Sequence, residues 1–195
     1  MKIKLTLVLA ALLMLVISTV SIASNMGFKI TIPLQVGWNN YISLPYYNSY
    51  TNAASLFADI PNCTSVSRWD NPSGAVQSWT GTRGINFAVT PGESYIVTVS
   101  STSNWIVVGS HNPTLAVTMT VGWNNYISVP YHTTATNAAT LFADIPHCTS
   151  VSRWDNPSGT VQSWTGTRGI NFPLTPGEGL IVTVSSTSGW TPSHY

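Results

Sequence analysis

The side chains able to do acid–base work come in two matched sets. Asp59, Arg68, Asp70, Arg83 and Glu93 recur 85 positions later as Asp144, Arg153, Asp155, Arg168 and Glu178. Two carboxylates flanking a sugar would make a glycosidase, but each acid has a plain local role. Asp59 ends a predicted helix, Asp70 opens a turn and Glu93 follows Pro-Gly. No nucleophile stands beside a base at a recognisable spacing, so no catalytic residue is expected and the chain reads as a non-enzyme. An ion pair between an arginine and one of the acids, ordering a nearly uncharged fold, is the better use of these groups. Asp70 and Asn71 suggest calcium, yet calcium takes six or more oxygens and no loop offers that density. His111, His132, His147 and His194 lack metal-ligand spacing, and neither metal nor any other cofactor is expected.

The aromatic residues carry more information. Trp38, Trp69, Trp79 and Trp105 return as Trp123, Trp154, Trp164 and Trp190. Large rings fill the cores of small β modules, and they also make flat platforms for sugars. Trp69 and Trp79 with Trp154 and Trp164, on predicted paired strands, are the candidate glycan platform. Asn62-Cys-Thr64 is a glycosylation sequon that the second copy lacks, because His147 replaces the asparagine. The two cysteines, Cys63 and Cys148, occupy one position in both copies, so neither has a partner in its own copy. Burial as small apolar residues is weighed against a bridge between the copies.

What must position these residues is a repeat. VGWNNYIS at Val36 returns at Val121, CTSVSRWDNPSG at Cys63 returns at Cys148, and VQSWTGTRGINF at Val76 returns at Val161. About four-fifths of positions are identical across the two copies without a gap. Two modules of one fold follow. Phe28 to Gln35 and Leu115 to Val121 alternate apolar and polar residues, the period of a half-buried strand. Tyr41 to Leu44 is a further strand stopped by Pro45. Thr51 to Asp59 is the one helical stretch, with a Thr or Asn cap and Leu56 and Phe57 facing inward. Ser65 to Trp69 and Val76 to Trp79 flank Asp-Asn-Pro-Ser-Gly as a hairpin. Ile85 to Val89 reads as a weak strand, Tyr95 to Val99 and Trp105 to Val108 as strong ones. Roughly seven short strands in about 85 residues predict an all-β chain of two tandem β-sandwich (Ig-like) modules, each with one short helix.

Composition sets the surroundings. Only 7% of residues are charged, against about 25% in an average globular protein. The N-terminus runs from Lys2 and Lys4 through an apolar stretch, Leu5 to Ile17, to small residues ending at Ala23. That order predicts a cleavable signal peptide over 1–23, with Ser21 and Ala23 before the cut, and a secreted or cell-surface protein. Retained instead, Leu5 to Ala23 is long enough to anchor the chain in a bilayer. Loss of the two leader lysines takes the formal charge from +1 to −1. With no basic patch, nucleic acid is excluded as a partner and the mature form has no reason to bind acidic membranes. Module 1 is then 24–111 and module 2 is 112–195.

The copies differ where they end. After Trp105 the first continues Ile-Val-Val-Gly, whereas after Trp190 the second has Thr-Pro, and Pro192 cannot donate to a ladder. Module 2 is therefore expected to have a truncated last strand and an open edge or groove. The connection Ile106 to Thr120 holds the last strand of one module and the first strand of the next. A junction between molecules, Thr191 to Tyr195 followed by Ser24 to Gln35, would be similar in length and could imitate it. This makes Phe28, Ile30, Ile32 and Leu34 the candidate donor strand for polymerisation, with Leu115, Val117 and Met119 as the internal counterpart strand. The other possibility is that Phe28 to Gln35 folds back into its own module.

SNMGFKITIPL, GWNNYISLPY, SRWDNPSG, TPGESYIVTV and IVVGSHNP resemble a recurrent module of microbial secreted proteins, often found in tandem. The pair is also similar to subunits of extracellular fibrils from uncultured aquatic microbes. The resemblance covers Ser24 to Tyr195 and implies a β-sandwich fold and assembly by strand exchange; it brings no catalytic residues. The expected function is thus a structural subunit of a homopolymeric extracellular filament, joined head to tail by β-strand addition. The alternative is a secreted or anchored adhesin that binds surface glycans through its tryptophans.

Overall fold

The computed structural model describes residues 27–194, and the leader expected over 1–23 lies outside them. The chain is predominantly β, in several antiparallel sheets. The first repeat contains β1 (Phe28–Leu34), β2 (Asn40–Ser43), α1 (Ala53–Asp59), β3 (Cys63–Asp70), β4 (Ala75–Trp79), β5 (Ser94–Val99) and β6 (Ser103–Gly109). The second contains β7 (Val117–Met119), β8 (Asn125–Ser128), α2 (Ala138–Asp144), β9 (Cys148–Asp155), β10 (Thr160–Trp164), β11 (Gly179–Val184) and β12 (Ser188–Trp190).

Each repeat builds two sheets around one core. β1 pairs with β6, and a second sheet runs β2-β5-β3-β4; the other repeat has β7 with β12 and β8-β11-β9-β10. Period-two alternation explains the burial: Ile30, Ile32 and Leu34 point inward from β1 to meet Val107 and Trp105 of β6, Val97 of β5 and Leu56 of α1. Each helix starts at an asparagine capping box, with Asn52 Oδ1 accepting from Ser55 N–H at 2.9 Å. The strand expected over Ile85 to Val89 does not form. Its inward Phe87 mimics strand alternation, but the backbone there serves the helix start instead: Phe87 O accepts from Ala53 N–H and Asn86 Oδ1 from Ala54 N–H, both at 2.8 Å.

The asparagines of Trp-Asn-Asn have distinct jobs. Asn40, buried, holds the turn after β1: its Nδ2 donates to Gln35 O, Trp38 O and Val97 O, and its Oδ1 accepts from Gln35 N–H. Asn125 does the same after β7. Asn39 reaches the other repeat, where its backbone N–H and O bond the side chain of Asn156; Asn124 bonds Asn71 in the same way.

That reciprocity extends to the edge strands β2 and β8. Ser43 N–H donates to Gly177 O and Ser128 N–H to Gly92 O, both at 2.8 Å. The Ser43 hydroxyl donates to Glu178 O and accepts from Val129 N–H; the Ser128 hydroxyl donates to Glu93 O and accepts from Leu44 N–H. The free edges of β2 and β8 are thereby capped by the Pro-Gly turn of the opposite repeat, which removes two exposed edges. Residue i of one repeat meets j of the other, and j meets i, so the contact is isologous, with Tyr41 beside its own counterpart Tyr126.

Candidate assembly strand and aromatic surface

The candidate donor strand is folded back in its own repeat. All seven residues of β1 pair with β6, from Phe28 opposite Gly109 to Leu34 opposite Ser103. In the single chain β1 fills the groove beside Trp105. The counterpart strand is shorter. β7 pairs with β12 at three positions, Met119 to Val117, and Leu115 lies outside the ladder. The chain after Trp190 turns away, with Thr134 N–H donating to Ser193 O, so the pairing that β6 continues past Trp105 has no equivalent. Residues Leu115 to Thr118 instead line a groove of about 480 Å³ facing Trp69 and Gly92 of the first repeat.

The four candidate platform tryptophans divide into two pairs. Trp79 lies opposite the fully buried Val66 and packs against the core, whereas Trp69 lies opposite the exposed Val76. They therefore face opposite sides of one sheet and do not form a shared surface. Trp69 stacks on Tyr126, Tyr126 on Tyr41 and Tyr41 on Trp154, at 6.3, 6.1 and 6.4 Å, an aromatic ladder across the contact between repeats. Trp105 and Trp190 are core residues whose Nε1 donates to Asp59 and Asp144 at 2.8 Å. Trp38 and Trp123 stand exposed on turns. Asn62 is exposed in the left-handed region at φ 57°, the geometry of the turn from α1 into β3. Cys63 and Cys148 are half-buried thiols, not bridged, and burial pushes both up to about 11.

The charged residues find mostly structural partners. Asp59 Oδ2 accepts from Tyr50 and Trp105, and Asp70 Oδ2 accepts from Ser73. Arg68 lies 3.7 Å from Glu93 and Arg153 3.6 Å from Glu178, each guanidinium resting over a core phenylalanine, Phe87 or Phe172. Asn71 Oδ1 is taken up by Trp69 Nε1 and Asn124 N–H. The rings of His111 and His194 lie 4.4 Å apart. Burial, then the charges of His194 and His132, hold His111 below its usual value. Among the described residues no three His, Cys, Asp or Glu side chains are grouped to hold a metal, and no helix is long and apolar enough to cross a membrane.

Burial raises Glu93 above the ordinary carboxylate value, and the nearby Arg68 only partly offsets it. A carboxylate raised in the folded state binds its proton more tightly than in the unfolded chain, so its contribution to stability is present at low pH and declines as pH rises above 4.5. In urea unfolding at a series of pH values, wild type minus Glu93→Gln should therefore fall as pH increases. A difference that grew with pH would mean that the Arg68 pair, not burial, dominates.

The residues that join the repeats, Ser43, Ser128, Tyr41 and Tyr126, were not singled out by sequence reasoning. The strings carrying them are copied in both repeats, but so is most of the chain, and copying does not mark an interface. No known protein-family model, curated protein or solved structure matches this chain.

Proposed function

We propose that this chain is a structural subunit of an extracellular filament, built of two tandem Ig-like β-sandwich modules and joined head to tail by exchange of β1. The observation that carries this reading is the backbone pairing of β1. It pairs with β6 alone, in a sheet of two strands, and a short turn connects it to the rest. It can leave as a unit and take the same place in a neighbour, where Ile30, Ile32 and Leu34 regain every contact they lost.

A filament needs a heterologous contact, one that does not close on itself. The contact between the repeats is isologous and used up within the molecule. Strand exchange supplies the open-ended contact, with main-chain hydrogen bonds for affinity and alternate side chains for register. The nearly uncharged surface favours association, since little net charge opposes it. The glycan-binding alternative draws less support, because Trp69 and Trp79 face opposite sides of their sheet. Negative-stain microscopy of the purified protein should show unbranched filaments one molecule wide. A monodisperse monomer at all concentrations would favour the adhesin.

A further inference from the structure

In an isologous contact a residue on the axis faces its own counterpart. Where the two repeats are identical there, like meets like, as Tyr41 and Tyr126 do at 6.1 Å. One buried position at this contact breaks the identity. Ser94, which opens β5, corresponds to Gly179, which opens β11. Both are buried, and they lie against each other.

The backbone of Gly179 does not call for glycine, because its φ lies outside the left-handed region. Space does. A Cβ added there would stand 2.7 Å from Ser94 Cβ, 2.9 Å from Ser94 Oγ and 3.1 Å from Ile42 O, against about 3.5–4.0 Å for carbon atoms in unstrained contact. The Ile42 carbonyl is held in place, since the adjoining Ser43 N–H is bonded to Gly177 O at 2.8 Å. Nor is Ser94 there for a hydrogen bond: its Oγ is buried with no partner among the described residues. The serine fills the space that the glycine opposite leaves.

Tyr46 adds to the asymmetry. It is buried and its hydroxyl donates to Ser128 O at 3.1 Å, whereas its counterpart Tyr131 is exposed and stacks on Phe28. The two repeats therefore do not use this face alike.

We propose that positions 94 and 179 decide which repeats can pair: the face of the first repeat fits a second repeat, with glycine opposite its serine, and rejects another first repeat. Elsewhere the two faces are so similar that like and unlike pairs would compete, and a steric clash in the wrong pair is what separates them. Chains that meet are thus kept from joining through their first repeats in this way. The rule concerns the contact between repeats and does not depend on filament assembly.

The test is amide hydrogen exchange in the full chain, read at Ser43 and Ser128, whose N–H groups bond across the contact. Gly179→Ser sets serine against serine and should speed exchange at both amides by about tenfold or more. Ser94→Gly removes a side chain without creating a clash and should leave both protected. The double variant Ser94→Gly/Gly179→Ser carries the same two residues in reverse and should restore protection. If Gly179→Ser does not fold, recovery of the fold in the double variant gives the same answer. Wild-type protection in Gly179→Ser, a double variant no better than Gly179→Ser, or equal loss of protection in Ser94→Gly would each overturn the proposal.

Discussion

Deleting residues 24–35 is expected to abolish filaments and to leave the first repeat unable to hold its fold, and a peptide of the same residues added in trans should restore the fold but not the filaments. The deletion removes Ile30, Ile32 and Leu34, all buried, and full burial of one such side chain is worth about 1.5–3 kcal/mol. Three of them together approach the whole stability of a typical domain, about 5–15 kcal/mol. It also uncovers Trp105 and Val107 and strips β6 of its seven paired partners. The peptide carries the same alternation and refills the groove, but it is not tethered to a second molecule, so it caps the subunit and growth stops. Circular dichroism would follow the fold and microscopy the filaments. Filaments formed by the deleted chain without peptide would remove β1 from assembly.

Trp105→Ala and Trp190→Ala should cost similar stability yet differ in their consequences for assembly. Both indoles are almost completely buried and both donate to the aspartate that ends a helix. Truncation of a core tryptophan costs about 3–5 kcal/mol. Each aspartate keeps another partner, Tyr50 through its hydroxyl on Asp59 and Ser193 through its N–H and hydroxyl on Asp144. Trp105 lies directly opposite Ile32 on β1, whereas Trp190 lies opposite Val117 on β7. Strand exchange therefore predicts that Trp105→Ala raises the critical concentration for filaments at least tenfold, while Trp190→Ala changes it little. Equal effects on assembly would mean that overall stability, not the β1 groove, governs growth.

The sheets, the hairpin turn and the helix were legible because their signals are local. Period-two alternation marks Ile30, Ile32 and Leu34, Asp-Asn-Pro-Ser-Gly marks the β3–β4 turn, and an asparagine box marks each helix start. The contact between repeats was not legible. It consists of a serine hydroxyl bonding backbone groups far along the chain, and no spacing in sequence announces that. The faces of Trp69 and Trp79 depend on register, and a shift of one residue exchanges the two sides of a strand. Ile85 to Val89 misled because alternation alone does not reveal that its backbone is needed at the helix start.

Strand exchange is tested most directly by a cysteine pair across β1 and β6. Thr31 and Ile106 are opposite one another and both exposed, at the separation of paired strands that a disulfide spans. Cys63 and Cys148 are half-buried thiols raised to about 11, so they compete weakly for oxidation. In Thr31→Cys/Ile106→Cys protein, oxidation before assembly should tie β1 into its own repeat and give monomers that never form filaments until reduced. Oxidation after assembly should instead join each molecule to the next, giving a ladder of covalent multimers on a non-reducing gel. Filaments whose oxidation yields only monomers, or oxidised monomers that still polymerise, would contradict strand exchange.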